Sequence, residues 1–251
     1  QITTKYEEYV TLMENDKTVQ ASIAEESFKF VDIIESLPRV ADDEARSDIR
    51  YEAILKKLTA HCRGCFKMVR GDKTLDSDAE KVTLWLLRVF LTMIEKHWGM
   101  SLEKREESGG EEQDEAARGV IESLDACGVT MLCLDCIAVG VDMDVQIAAV
   151  RLLIALLVKD GGSLPLQNSV NAYLTLNRTD LFFKQIRTAC SELIEWHRWI
   201  HQGGSEEQST DLLYYIRFLQ LLCVGHFMPN QELIRNQQSG SVPNTESIQL
   251  L

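Results

Sequence analysis

The sequence predicts an all-α protein, a helical solenoid of about ten antiparallel helices. Three observations carry that expectation. Apolar residues recur at the i, i+3, i+4, i+7 spacing of an amphipathic helix. No stretch with the alternating period of a strand competes with them. Only four Pro and fourteen Gly punctuate 251 residues. An all-β chain would need turn signals every ~10 residues.

The stripes follow one another along the chain. The first runs Tyr51, Ile54, Leu55, Leu58, Cys62, Cys65, Phe66 and Val69. A second, Val82, Trp85, Leu86, Val89, Phe90, Met93, Ile94 and His97, follows Ser77 and Glu80, which have the spacing of a capping box. Val129, Leu132, Cys133, Cys136 and Ile137 repeat the pattern, as do Phe182, Ile186, Ala189, Cys190, Leu193, Trp196, His197 and Ile200. The last strong stripe is Leu212, Tyr215, Ile216, Leu219, Leu222 and Cys223. Helices are therefore expected near 3–14, 18–36, 44–69, 77–98, 114–126, 129–139, 144–159, 164–175, 179–201, 210–225 and 229–236.

Between them, residues 101–115 are charged, contain Gly and carry no large apolar residue after Leu102. Such a composition cannot bury itself and reads as a flexible acidic linker. Residues 202–208 look the same. The organisation expected is a first helical arm over 1–100, the linker at 101–115, a helical core over 116–237 and a frayed tail over 238–251. The chain opens at Gln1 and reads as either processed or cut from something longer.

Formal net charge is −13, which repels phosphate backbones and anionic lipid surfaces, so neither nucleic acid nor direct membrane contact is expected. The longest apolar stretch, from Ile147 to Val158, contains Arg151 and falls well short of the ~20 residues of a membrane span. Seven Cys, an odd number at low density with no secretory leader ahead of them, read as free thiols in a reducing cytosol.

Several constellations invite a chemical reading. Cys62/Cys65 and Cys133/Cys136 are Cys-x-x-Cys pairs, with His61 beside the first. They lie on apolar stripes, where free Cys behaves as a small hydrophobe, and lack the turn residues of a zinc knuckle. His197 and His201 are four apart, but Arg198 stands where a zincin helix has its catalytic Glu. Gly161-Gly162 follows a helix and so offers carbonyls, not phosphate-binding N–H groups. Asp142 and Asp144 lack the further oxygens of a calcium loop and read as caps for the helix near Val145. No catalytic residue, metal ligand or cofactor is expected, and the chain does not read as an enzyme.

Arg217-Phe218-Leu219-Gln220-Leu221-Leu222-Cys223, followed by Gly225-His226, Asn230-Gln231 and Arg235-Asn236-Gln237, resembles a signature of the inositol trisphosphate and ryanodine receptor family. Three further segments resemble the family in the same order: Cys127-Gly128 to Ile137, Leu152 to Leu157 with Gly161-Gly162 and Gln167-Asn168-Ser169, and Leu181-Phe182-Phe183-Lys184. Upstream, Ala79 to Met93 is similar more loosely, and the likeness spans most of residues 30–237, closer to the trisphosphate receptors.

The resemblance implies a cytosolic regulatory region of an intracellular calcium-release channel. Its helical arms would relay ligand binding to a homotetrameric pore in the endoplasmic reticulum membrane. Neighbouring domains and subunits would then be its partners. Inositol trisphosphate itself would bind elsewhere, since no cluster of Arg and Lys here forms a phosphate site. One departure stands out. The family holds activating calcium with a Glu after "ALL" and another after "LLC", where this chain has Val158 and Val224. A Val side chain offers no oxygen, so the usual calcium sensor is expected to be absent unless Asp160 realigns. Two other readings compete: a free-standing armadillo-like scaffold that binds peptides or partner helices, and a zinc-stabilised helical domain.

Overall fold

The computed structural model describes residues 49–68, 77–108, 111–158, 163–176, 179–200, 210–236, 238–239 and 242–243. The helices expected near 3–14 and 18–36 and the linker at 202–208 lie outside the described residues, as do Asp160, Gly161-Gly162 and His201.

Ten α-helices are described: α1 (Ile49–Met68), α2 (Ser77–Trp98), α3 (Leu102–Ser108), α4 (Glu111–Ala126), α5 (Val129–Val139), α6 (Met143–Leu157), α7 (Leu164–Leu176), α8 (Thr179–Ile200), α9 (Thr210–Cys223) and α10 (Met228–Asn236). A 3₁₀ turn (Val224–His226) joins the last two, and a short antiparallel ladder of β1 (Gln238–Ser239) and β2 (Val242–Pro243) follows.

The helices stack in two layers. One layer is α1, α5 and α8, with α5 packed between the other two. The other is α2, α6 and α9, with α6 in the middle. Helices α1 and α2, α5 and α6, and α8 and α9 pack across the layers as pairs. Two linking helices complete the units: α4 packs on α2 and α5, and α7 on α5, α6 and α8. Repeated pairing of this kind is the arrangement of a helical solenoid, so the all-α reading of the sequence holds.

Sequence explains why α5 and α6 are central. Both are apolar nearly all round, as a helix covered on every side must be. The stretch Leu152 to Leu157 is buried throughout. Each Leu or Ile side chain of that stretch taken from water contributes roughly 2 kcal/mol of hydrophobic stabilisation. Helix α5 is held between two left-handed glycines, Gly128 (φ 84°) and Gly140 (φ 69°), which turn the chain sharply at both ends. Asp142 caps α6 by accepting from the Asp144 N–H at 2.9 Å, as its position before the apolar run implies.

The acidic segment 101–115 departs from expectation. It is not a loop: α3 spans Leu102–Ser108 and α4 begins at Glu111. Leu102 and Arg105 are fully buried, and the Leu102 N–H donates to Glu95 at 2.9 Å. Glu103 and Glu106 anchor α3 further through ion pairs to Arg151 and Arg217. A composition rule that counts apolar residues misses a helix whose partners are ions. A second departure is Trp85, which lies on the second stripe yet is 41% exposed.

Candidate functional site

Polar side chains are few in the interior of the stack, and those present sit where helices meet. Two such joints, and a third made of partly exposed side chains, organise the molecule.

The first is centred on Asp135 of α5, which is almost wholly buried. Its carboxylate accepts from Arg63 Nε of α1 at 2.7 Å and from the Tyr173 hydroxyl of α7 at 2.6 Å. A buried carboxylate is tolerable only with such partners. Three helices are thereby fixed to one another.

The second joint closes the end of α9. The last carbonyls of a helix have no partner within it. Here Gln167 of α7 donates its side-chain amide to the carbonyls of Leu221, Leu222 and Val224 at 3.1, 3.3 and 2.9 Å. Asn230 of α10 donates to the Leu222 carbonyl at 3.0 Å and accepts from Asn171 of α7 at 3.0 Å. Gln231 donates to the Cys223 carbonyl at 3.2 Å. The turn beyond is left-handed at Gly225 (φ 69°) and at His226 (φ 59°), a conformation uncommon for a residue with a side chain. Helices α7, α9 and α10 are thus joined by amides rather than by charge.

The third joint lies on the seam between α6 and α9. Arg151 of α6 is paired with Glu103 of α3, and Arg217 of α9 with Glu106 of α3. The Arg151 guanidinium also lies 5.4 Å from the centre of the Tyr214 ring, whose hydroxyl donates to Glu103 at 3.3 Å. The Glu103 carboxyl sits below its ordinary range. Burial alone would raise it, but its own backbone N–H, the Arg151 guanidinium and the hydroxyls of Ser101 and Tyr214 outweigh burial. Between α6 and α9, Tyr215 donates to Gln146 at 3.2 Å, and desolvation pushes the Tyr215 phenol upward.

The residues singled out from the sequence fall in other places. Cys62, Cys133 and Cys136 are buried, and desolvation raises all three thiols, Cys62 to about 12. They act as small apolar side chains. Cys65 is half-buried with its sulfur 3.8 Å from His61 Nε2, and burial lowers the His61 pKa. Among the described residues, no three His, Cys, Asp or Glu side chains are grouped to hold a metal ion. Val158 ends α6 and is buried, and Val224 is half-buried. Neither brings a side-chain oxygen to the neighbouring helix ends. No described helix is long and apolar enough to cross a membrane.

Sequence reasoning missed Asp135, Gln146, Gln167, Arg151, Tyr214 and Glu103 as joint residues. Asp135 carried a signal, since it interrupts the otherwise apolar run from Met131 to Val139. Gln167 and Glu103 carried none, because their partners lie far away in sequence.

No family model matches the chain, and neither a curated protein nor a solved structure matches it.

Proposed function

We propose that this chain is a cytosolic coupling module of an intracellular ligand-gated calcium-release channel, an armadillo-like stack that relays ligand binding to the pore. It would lie at the cytosolic face of the endoplasmic reticulum membrane, against neighbouring domains and subunits of a homotetramer. The motif resemblance supplies the class. The observation that carries the mechanism is the amide joint at the end of α9. The segment Arg217 to Cys223, which bears the strongest resemblance, ends in carbonyls held by Gln167, Asn230 and Gln231. A displacement of α7 or α10 is therefore passed to α9 without slack, as rigid-body relays require. Val158 and Val224 make this relay independent of a calcium ion at that point. No catalytic role is proposed.

The test uses the parent reading frame. It is expected to encode apolar spans of ~20 residues beyond this segment. In the parent channel, Gln167→Ala is expected to shift the ligand dependence of calcium release by roughly fivefold or more. Binding to the isolated N-terminal domains should be unchanged. A frame without such spans leaves the armadillo-like scaffold as the better reading. A folded Gln167→Ala channel with unaltered release would remove the relay.

A further inference from the structure

We propose that the seam between α6 and α9 is a docking site for an acidic helical segment of a partner protein, and that α3 occupies it in cis as a releasable strap. The seam presents two guanidinium groups, Arg151 and Arg217, with the Tyr214 ring beside the first. What fills it is seven residues long and carries five charges. Glu103 and Glu106 stand one helical turn apart, so both reach the seam from one face of α3. One apolar anchor, Leu102, is fully buried beside them. A ligand of the same kind would show Leu-Glu-x-x-Glu on one helical face.

Two features point to replaceable occupancy. The strap is short and is held mainly by ion pairs whose side chains remain 19–45% exposed, so water and salt reach them. It also leaves the seam imperfectly satisfied. Arg151 donates to Glu103 through Nη2, while its Nε is buried and has no acceptor. A carboxylate that engages Nε and Nη2 together gains the bidentate geometry that α3 does not supply. Such a ligand has to overcome the high local concentration of a tethered strap, so binding stays weak until α3 is released. This inference stands on the seam alone and holds whether the parent is a channel or a scaffold.

Binding of a labelled peptide spanning residues 100–108 to the full chain tests it, read by fluorescence anisotropy. In Glu103→Lys/Glu106→Lys the strap is repelled, and this protein should bind the peptide at least about tenfold more tightly than wild type. Arg151→Glu/Arg217→Glu should not bind that peptide, but should bind one carrying the two Glu→Lys changes. The charge-swapped rescue separates a specific seam from a sticky, partly unfolded chain. Should the Lys variant fail to fold, Glu103→Gln/Glu106→Gln takes its place with the same expected gain over wild type. Equal binding by released and wild-type chains overturns the proposal, as does binding of the unchanged peptide by the Arg151→Glu/Arg217→Glu protein. A wild-type dimer that the peptide dissociates would overturn it too, since a second copy would then be the occupant.

Discussion

Helices α5 and α6 at the centre of the stack and helix α3 on the seam between α6 and α9 are held by different forces. The central pair buries most of its apolar side chains, and its Asp135 is locked between Arg63 and Tyr173. Helix α3 buries Leu102 and Arg105, has hydrogen bonds from the Leu102 N–H to Glu95 and from Tyr214 to Glu103, and makes two ion pairs to Arg151 and Arg217. Apolar burial is neither screened by salt nor titrated by mild acid, whereas partly exposed ion pairs respond to both. Under the relay and the docking proposed above, the centre would move as a body and the strap would come and go. A relay needs the first property and a regulated docking surface needs the second.

Changes at the centre should produce the largest effects. Phe182 of α8, the helix beside α5 in its layer, is fully buried, with Phe183 at 5.4 Å and Phe218 at 6.3 Å in edge-on contact. Phe182→Ala removes that ring and leaves a cavity, and is expected to cost about 4 kcal/mol in urea unfolding. A cost under about 1 kcal/mol would mean that the layer repacks freely, and the contrast with α3 would lose its basis.

A smaller loss is expected at the buried polar joint. Asp135→Ala strips the acceptor from Arg63 and Tyr173 at once and should cost about 3 kcal/mol. Tyr173→Phe removes a single hydrogen bond and should cost about 1 kcal/mol. If the two substitutions cost the same, the joint is a tyrosine–carboxylate contact with Arg63 as a bystander.

These two regions were not equally legible in the sequence. The period of Leu132, Cys133, Cys136 and Ile137 marked α5, and α2 and α5 were expected over the residues they occupy. The reading of Cys62, Cys133 and Cys136 as small apolar side chains followed from their place on the same stripes. Helix α3 was missed because its stability lies in pairs such as Glu103 with Arg151 and Glu106 with Arg217, joined across long stretches of chain. Local composition records the charges but not their partners. The amide joint was hidden for the same reason, since Gln167 meets Leu221, Leu222 and Val224 only after the solenoid has stacked. Trp85 shows the opposite failure: it keeps the period of its helix, yet stays 41% exposed.

The smallest change in global stability is expected at the strap, and there the comparison is sharpest. Glu103→Gln/Glu106→Gln should lower unfolding stability by less than about 1 kcal/mol, since partly exposed pairs contribute little. Its effect should be local. Amide hydrogen exchange in α3 should quicken while exchange in α5 and α6 stays unchanged. Acid should reproduce this in the wild-type chain. The Glu103 pKa is lower in the folded chain, so its contribution is complete above the unfolded value of ~4.3 and is lost as pH falls through the lower folded value. Raising salt at neutral pH should loosen α3 in the same way, by screening instead of protonation. If α3 exchanges as slowly as α5 in the double Gln variant, Leu102 and Arg105 hold it without the ion pairs. The strap would then belong to the core, and the seam would be closed to any partner.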